Sequence, residues 1–378
     1  MARIFIIYPN FYSYEESRIS VGGVQTYIFY LCKVILSNGF KPIVCQLSNT
    51  NFSIEYQNIR ISGYSVSVKS KKRALFKEVL NEYEDKNDLI LFASENFSVR
   101  HKNIRSLVIQ HGIYWDLPLD KLKINYIFDR IIPFAKRGYI RKKVLNNFNN
   151  SKNKVCVDYN YLNWYRTMRD VQSDENIWVI PNFTVREEFN EKDLILKHDE
   201  NNVNILFARR FVEIRGVRLF AKVCTRILDK YPNTYFTIAG EGPLTKEIDN
   251  LRRLPRVNAI KYEISEANHI HKNHHIAIVP SLGSEGTSIS VAEAMNQGCA
   301  VIATNIGGIT NMVINHYNGL LCNPLESELF DALELLVNNR ELRKKLSYNA
   351  FQICTEAFTY DAWKEEWSKV IKVIMQRP

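Results

Sequence analysis

Short apolar runs rich in β-formers alternate with longer amphipathic segments along this chain, in two separate series. Parallel strands need a crossover of a dozen or more residues, so this rhythm predicts parallel sheets covered by helices on both faces. In the first series residues 3–8, 41–47, 89–93, 107–110 and 154–158 read as strands. Residues 24–37 read as a helix, with Asn38-Gly39 as its stop signal. The pattern resets around Trp178-Val179-Ile180-Pro181-Asn182, and a polar stretch follows over residues 186–202. The second series has strands at 204–208, 234–239, 259–262, 276–279, 300–304 and 319–322, and helices at 216–230, 290–297 and 326–337. The chain has 378 residues, and domains usually run to about 100–200 residues. Two α/β domains joined by a linker are therefore expected, with a cleft between them. Ligands of open α/β sheets sit beyond the carboxyl ends of the strands.

Composition narrows the class. Apolar residues make up 46% and charged residues 24%, which suits a globular protein with a sizeable core. No apolar run approaches the roughly 20 residues of a membrane-spanning helix. The N-terminus reads as a buried strand rather than a signal peptide. The seven cysteines are scattered and never form C-x-x-C, which points to reduced thiols and a cytoplasmic setting. The net charge of +10 calls for an anionic partner. Part of it is concentrated in Arg130, Lys136, Arg137, Arg141, Lys142 and Lys143, interleaved with Ile131, Ile132, Phe134, Tyr139 and Ile140. That stretch reads either as a solvated helix face or as a basic amphipathic contact with acidic lipid headgroups.

The strongest local signal runs from Pro280 to Gly298. An apolar strand ends at Pro280, a small polar loop follows, and a helix begins near Thr287 or Ser288. Free N–H groups and the positive end of a helix dipole suit a diphosphate there. Glu285 and Glu293 flank the helix start and could accept hydrogen bonds from sugar hydroxyls. Arg209-Arg210 and Arg215 follow another strand and could neutralise a departing diphosphate. Gly22-Gly23 precedes a helix, and Gly240 and Gly242 follow a strand; each is a weak signal alone. His111 ends a strand and could bond a sugar hydroxyl. His269, His271, His274 and His275 lack the spacing of a zinc site and read as a solvated loop or helix. No D-x-D pair is available to hold a metal on a diphosphate, so no metal or cofactor is expected.

Together these residues resemble the retaining glycosyltransferases of family 4, over nearly the whole chain. The resemblance implies a GT-B fold, two Rossmann-like domains facing each other across a cleft. It divides the chain into an acceptor-binding domain (1–182), a nucleotide-sugar-binding domain (183–360) and a C-terminal helix returning to the first domain (361–378). Glu285 and Glu293 match the E-x7-E signature, which implies contacts to the donor sugar and to the ribose. Arg210 and Arg215 match the Arg and Lys of a G-R-x-x-x-x-K-G run. With Gly22, Gly23 and the amides of Thr287, Ser288 and Ile289, they would hold the donor diphosphate. Gly240 and Gly242 would lie in the nucleotide loop, and His111 would act beside Glu285. Asn182 matches the linker asparagine. Three positions depart from the family pattern. Arg215 stands for the usual Lys, Glu285-Gly286-Thr287-Ser288 for E-G-F-G, and Asn182-Phe183 for N-G.

The expected activity is transfer from a nucleoside-diphosphate sugar to a lipid-linked or surface-polysaccharide acceptor, of O-antigen or capsule type. The expected place is the inner face of the cytoplasmic membrane, held by peripheral contact with anionic lipids. Two alternatives remain: a nucleotide-sugar epimerase on the same fold, and a basic nucleic-acid-binding protein. The second lacks a recognised motif, so no nucleic-acid partner is expected.

Overall fold

The structure, a computed structural model, describes residues 2–20, 22–67, 70–84, 87–118, 133–185, 189, 191–198, 201–263 and 266–376. The chain forms two compact units. The first comprises Met1–His111, Ile127–Pro181 and Trp363–Pro378, and the second Gly112–Tyr126 and Asn182–Ala362.

The first unit is built on strands β1 (Arg3–Ile7), β4 (Lys41–Leu47), β5 (Phe52–Tyr56), β6 (Ile59–Tyr64), β7 (Leu89–Phe92), β8 (Ser106–Gln110), β9 (Asn153–Cys156) and β10 (Asn176–Val179). A two-residue pair, β2 (Tyr12–Ser13) and β3 (Arg18–Ile19), stands apart. The sheet order is β10-β9-β8-β7-β1-β4-β6-β5. Every neighbouring pair is parallel except β5 with β6. Central β1 is buried from Ile4 to Ile7, as a strand covered on both faces must be. The helix Gly23–Ser37 lays Tyr27, Leu31, Val34 and Ile35 inward at helical spacing and stops at Gly39 with φ +80°. The helix Tyr360–Gln376 brings Trp363 and Trp367 onto Tyr27. Trp367 Nε1 donates to the Tyr27 hydroxyl at 2.9 Å.

Several elements differ from the sequence expectation. The strand expected over residues 154–158 is shorter: β9 ends at Cys156, and Asp158 caps the helix Tyr159–Arg166, accepting from the Tyr161 amide at 2.7 Å. The polar stretch 186–202, described only in part, contains the helix Glu191–Lys197, whose Leu194 packs with Phe189 and Phe351. The basic stretch lies on the helix Pro133–Phe148, with residues 129–132 outside the described part. Arg137, Tyr139, Lys142 and Lys143 are exposed, Lys136 is buried, and Arg141 lies over the Trp164 ring at 4.8 Å.

The second unit's sheet runs β13 (Val257–Ile260), β12 (Thr234–Ala239), β11 (Val203–Ala208), β14 (Ile276–Val279), β15 (Ala300–Thr304), β16 (Leu320–Cys322), all parallel. The helix Val217–Lys230 buries Phe220, Val223, Cys224 and Ile227 against it. From β11 the chain moves outward to β12, and from β14 outward in the opposite direction to β15. The order therefore reverses between β11 and β14, and the loops that follow these two strands lie side by side. All seven cysteines are buried free thiols. No described helix is long and apolar enough to cross a membrane.

Candidate active site

The loop after β11 carries Arg209, Arg210 and Arg215; the loop after β14 carries Ser281, Glu285, Thr287 and Ser288. Leu282 N donates to Ile214 O at 2.9 Å, which ties the two loops together. Gly216 has φ +73°, and a Cβ there would lie 1.9 Å from Pro280 O, so only glycine lets the loops meet.

Glu285 sits at the centre of this junction. Its Oε1 accepts from the guanidinium groups of Arg209 and Arg215 and from Ser281 Oγ at 2.5 Å. Burial alone would push the carboxyl up, but the charges of Arg215 and Arg209 outweigh it and hold it below its usual range. Two guanidinium groups against one carboxylate leave the junction with an excess positive charge. Arg209 also donates to Ser288 Oγ at 3.2 Å and Ser281 Oγ at 3.1 Å, and it is buried. Arg210, the arginine singled out from the sequence, is exposed. The two neighbours thus point different ways: the sequence offers both as cations after the strand, but the family pattern selects Arg210 and not the inward Arg209. Its only signal was a second arginine directly after a buried strand.

Glu293 lies on the second turn of the helix Ile289–Asn296, half-buried. Burial pushes its carboxyl up to about 8, with Arg209 opposing, so it is mostly protonated at neutral pH. Tyr262 is raised by burial and then by the Glu293 charge, with Arg209 opposing.

The helix start is held from outside. Asn182 N donates to Thr287 Oγ1 at 2.8 Å, and Asn182 Nδ2 donates to Thr287 O. Thr287's hydroxyl is thus a loop anchor, and Asn182 needs no following glycine to reach it. The Ser288 amide donates to Met312 Sδ at 3.1 Å. Glu285 O accepts from the Gly308 amide at 3.1 Å, and Ser284 N donates to Asp116 Oδ1 at 2.6 Å. Gly240 and Gly242 pass close to the arginine loop. Gly240's Cβ position is 2.1 Å from Arg209 O, and Gly242's is 2.6 Å from Phe211 O.

Gly22, Gly23 and His111 belong to the first unit. Gly22 precedes the helix Gly23–Ser37 and accepts from Thr26 N at 2.9 Å. His111 Nε2 lies 2.8 Å from Ala93 O, and the ring stands edge-on to Tyr27 at 4.8 Å. A carbonyl only accepts, so Nε2 carries the proton and Nδ1 is left as an acceptor. Burial lowers this imidazole to about 4, so it is neutral.

The histidine group at 269–275 corrects the sequence expectation of a solvated segment. His269 is exposed, but His271, His274 and His275 are buried. Their ring nitrogens meet Ala267 O at 2.6 Å, Ile270 O at 2.6 Å and Lys197 O at 2.7 Å respectively. They tie backbone carbonyls inside the unit, and among the described residues no group of His, Cys, Asp and Glu is arranged to hold a metal.

The family model for Glycosyl transferases group 1 matches residues 188–353, which include both loops and both carboxylates. The chain is a glycosyltransferase, and its similarity to group 1 is carried by residues 188–353. This glycosyltransferase is 23% identical over 329 residues to the gpi3 subunit of phosphatidylinositol N-acetylglucosaminyltransferase from Schizosaccharomyces pombe, covering 84% of this chain and 70% of that one. Its fold matches sucrose-phosphate synthase from Thermosynechococcus elongatus with a TM-score of 0.74 at 16% identity, over 99% of each chain. It also matches S. aureus TarM, solved with UDP and alpha-GlcNAc-glycerol among its ligands. There the TM-score is 0.71 at 15% identity, over 98% of this chain and 99% of that one. The glycosyltransferase therefore has the GT-B fold, α/β with two parallel-sheet domains.

Proposed function

We propose that this glycosyltransferase moves a sugar from a nucleoside-diphosphate sugar to a hydroxyl of a lipid-linked acceptor, with retention at the anomeric carbon. The observation that carries the reading is the junction at the β11/β14 reversal. A cationic pair holds an ionised Glu285, and Glu293 sits on the second turn of the helix that follows. Arg210 and Arg215, with the start of the helix Ile289–Asn296, take the diphosphate; Glu293 takes the ribose hydroxyls and Glu285 the sugar.

In the transfer, the bond from the anomeric carbon to the phosphate oxygen breaks and the acceptor oxygen bonds that carbon on the same face. The acceptor's proton passes to the departing diphosphate. The arginines offset the negative charge that develops on the leaving oxygen, a role otherwise filled by a metal. His111, a neutral acceptor at Nδ1, would orient a hydroxyl. The first unit would receive the acceptor, and the exposed face of the helix Pro133–Phe148 would rest on anionic inner-leaflet lipid. The similarity to a phosphatidylinositol N-acetylglucosaminyltransferase subunit and to TarM favours UDP-N-acetylglucosamine as the first donor to try and a phosphatidylinositol-type lipid as the first acceptor. Surface-polysaccharide intermediates are the next class.

A thermal-shift panel of nucleotide sugars tests the donor, since a ligand that binds only the folded form raises apparent stability. The expected result is a shift with a uridine nucleotide sugar, followed by label transfer to a lipid acceptor. Stabilisation by no nucleotide sugar would overturn the reading. Sugar conversion without an acceptor would favour an epimerase.

A further inference from the structure

Glu285 is held asymmetrically. Among the described residues, the three side-chain donors on its carboxylate, Arg209, Arg215 and Ser281, all end on Oε1. A carboxylate with three donors on one oxygen turns the other, Oε2, away from them. Arg215 approaches from the more open side, with its side chain 26% exposed, whereas the Arg209 side chain is 5% exposed. Arg215 is therefore the member that an incoming diphosphate can recruit. Arg209 is the member that stays.

Arg209 is itself fixed at both ends of its guanidinium. Nη1 donates to Ser288 Oγ, and Nη2 donates to Ser281 Oγ and to Glu285. Ser288 is the residue directly before the helix Ile289–Asn296, and Ser281 is the second residue after β14. The fork therefore spans the loop that contains Glu285, gripping it before and after the carboxylate. A lysine ammonium is a point charge on a flexible stem and cannot hold both sides with a planar fork. The same contact gives the Thr287-Ser288 sequence of the loop a physical reason. Ser288 supplies the acceptor that Arg209 needs, and Thr287 supplies the acceptor that Asn182 needs.

We propose that Arg209 is a positioning residue for sugar transfer. Through Ser281 and Ser288 it locks Glu285 by Oε1, so that Oε2 faces the donor sugar as a hydrogen-bond acceptor. The sugar must then present a hydroxyl or amide N–H to Oε2, and an ionised carboxylate at that position of the sugar is rejected. This inference rests on the proposed donor site.

The test is steady-state kinetics with UDP affinity measured alongside, on Arg209→Ala, Arg209→Lys, Ser288→Ala and the Arg209→Ala/Ser288→Ala double variant. Positioning predicts that Arg209→Ala lowers kcat at least thirtyfold while the Kd for UDP changes less than threefold. Arg209→Lys should recover part of the kcat. Ser288→Ala alone should lower kcat a fewfold, and should cost nothing further in the Arg209→Ala background, because the pair acts as a unit. Equal losses in UDP affinity and kcat would make Arg209 a phosphate ligand and overturn the proposal. So would unchanged kcat in Arg209→Ala, or multiplicative losses in the double variant. If wild-type protein transfers no sugar from any donor, the proposed function fails instead. Ser288→Ala keeps the buried Arg209–Glu285 pair, so it remains a usable variant if Arg209→Ala does not fold.

Discussion

The two carboxylates at the β11/β14 junction, eight residues apart, are held in opposite protonation states. Glu285, in the loop, is flanked by Arg209 and Arg215 and stays ionised below its usual range. Glu293, on the helix, is raised to about 8 by burial, with only Arg209 opposing. One is an acceptor committed in advance. The other can lose its proton when a ligand brings hydroxyls to it. The lesson is that a spacing of carboxylates does not define their chemistry; the cations that reach each one do.

The sharpest way to break this comparison is Glu285→Gln. It removes the charge between two arginines, so kcat should fall by about 100-fold. Affinity for UDP itself should hold or rise, because Arg215, released from the carboxylate, would be free to turn to a diphosphate. A parallel fall in UDP affinity would show that the two sites are not distinct.

Next in size is the pH dependence of donor binding. If ribose hydroxyls need an ionised Glu293, affinity should rise by about tenfold between pH 7 and pH 9, the range around a value near 8. In Glu293→Gln the affinity should be weaker and flat over that range. A wild-type profile as flat as the variant's would remove Glu293 from the ribose contact.

A smaller effect concerns the anchor beneath the helix. Asn182→Ala removes the donor to Thr287 O and should lower unfolding stability by about 1–2 kcal/mol, read by denaturant titration. Activity at a temperature well below the transition should stay within a fewfold of wild type. The smallest effect is on stability against pH. A carboxyl raised in the folded state keeps its proton while the unfolded chain loses it, so stability falls as pH rises from 4.5 towards 8. Glu293→Gln lacks this loss, so its Tm advantage over wild type should grow by roughly 2–4 °C from pH 5 to pH 8.

Much of this arrangement was legible in the sequence because parallel strands buried on both faces read as plain apolar runs. Residues 41–47, 234–239, 276–279 and 300–304 extend as expected. The hairpin β5–β6 was not visible. Its turn uses Gln57 and Asn58, both at positive φ, where an Asn-Gly pair would have been the recognisable signal. The helix Arg340–Ala357 also went unread, although Asn339 caps it by accepting from Leu342 N. In the site, the spacing of Glu285 and Glu293 was plain. The choice between Arg209 and Arg210 was not, because adjacent residues after a strand diverge and only the burial of one tells them apart. The histidines at 271, 274 and 275 were misread for a similar reason. Their polarity suggested solvent, yet their ring nitrogens are satisfied by carbonyls inside the unit.

The most direct test of the donor site is calorimetric titration of UDP into wild type, Arg215→Ala and Glu293→Gln. Measurable binding to wild type and at least tenfold weaker binding to each variant are expected if Arg215 holds the diphosphate and Glu293 the ribose of a single ligand. Equal affinity in all three proteins, each folded, would contradict that assignment.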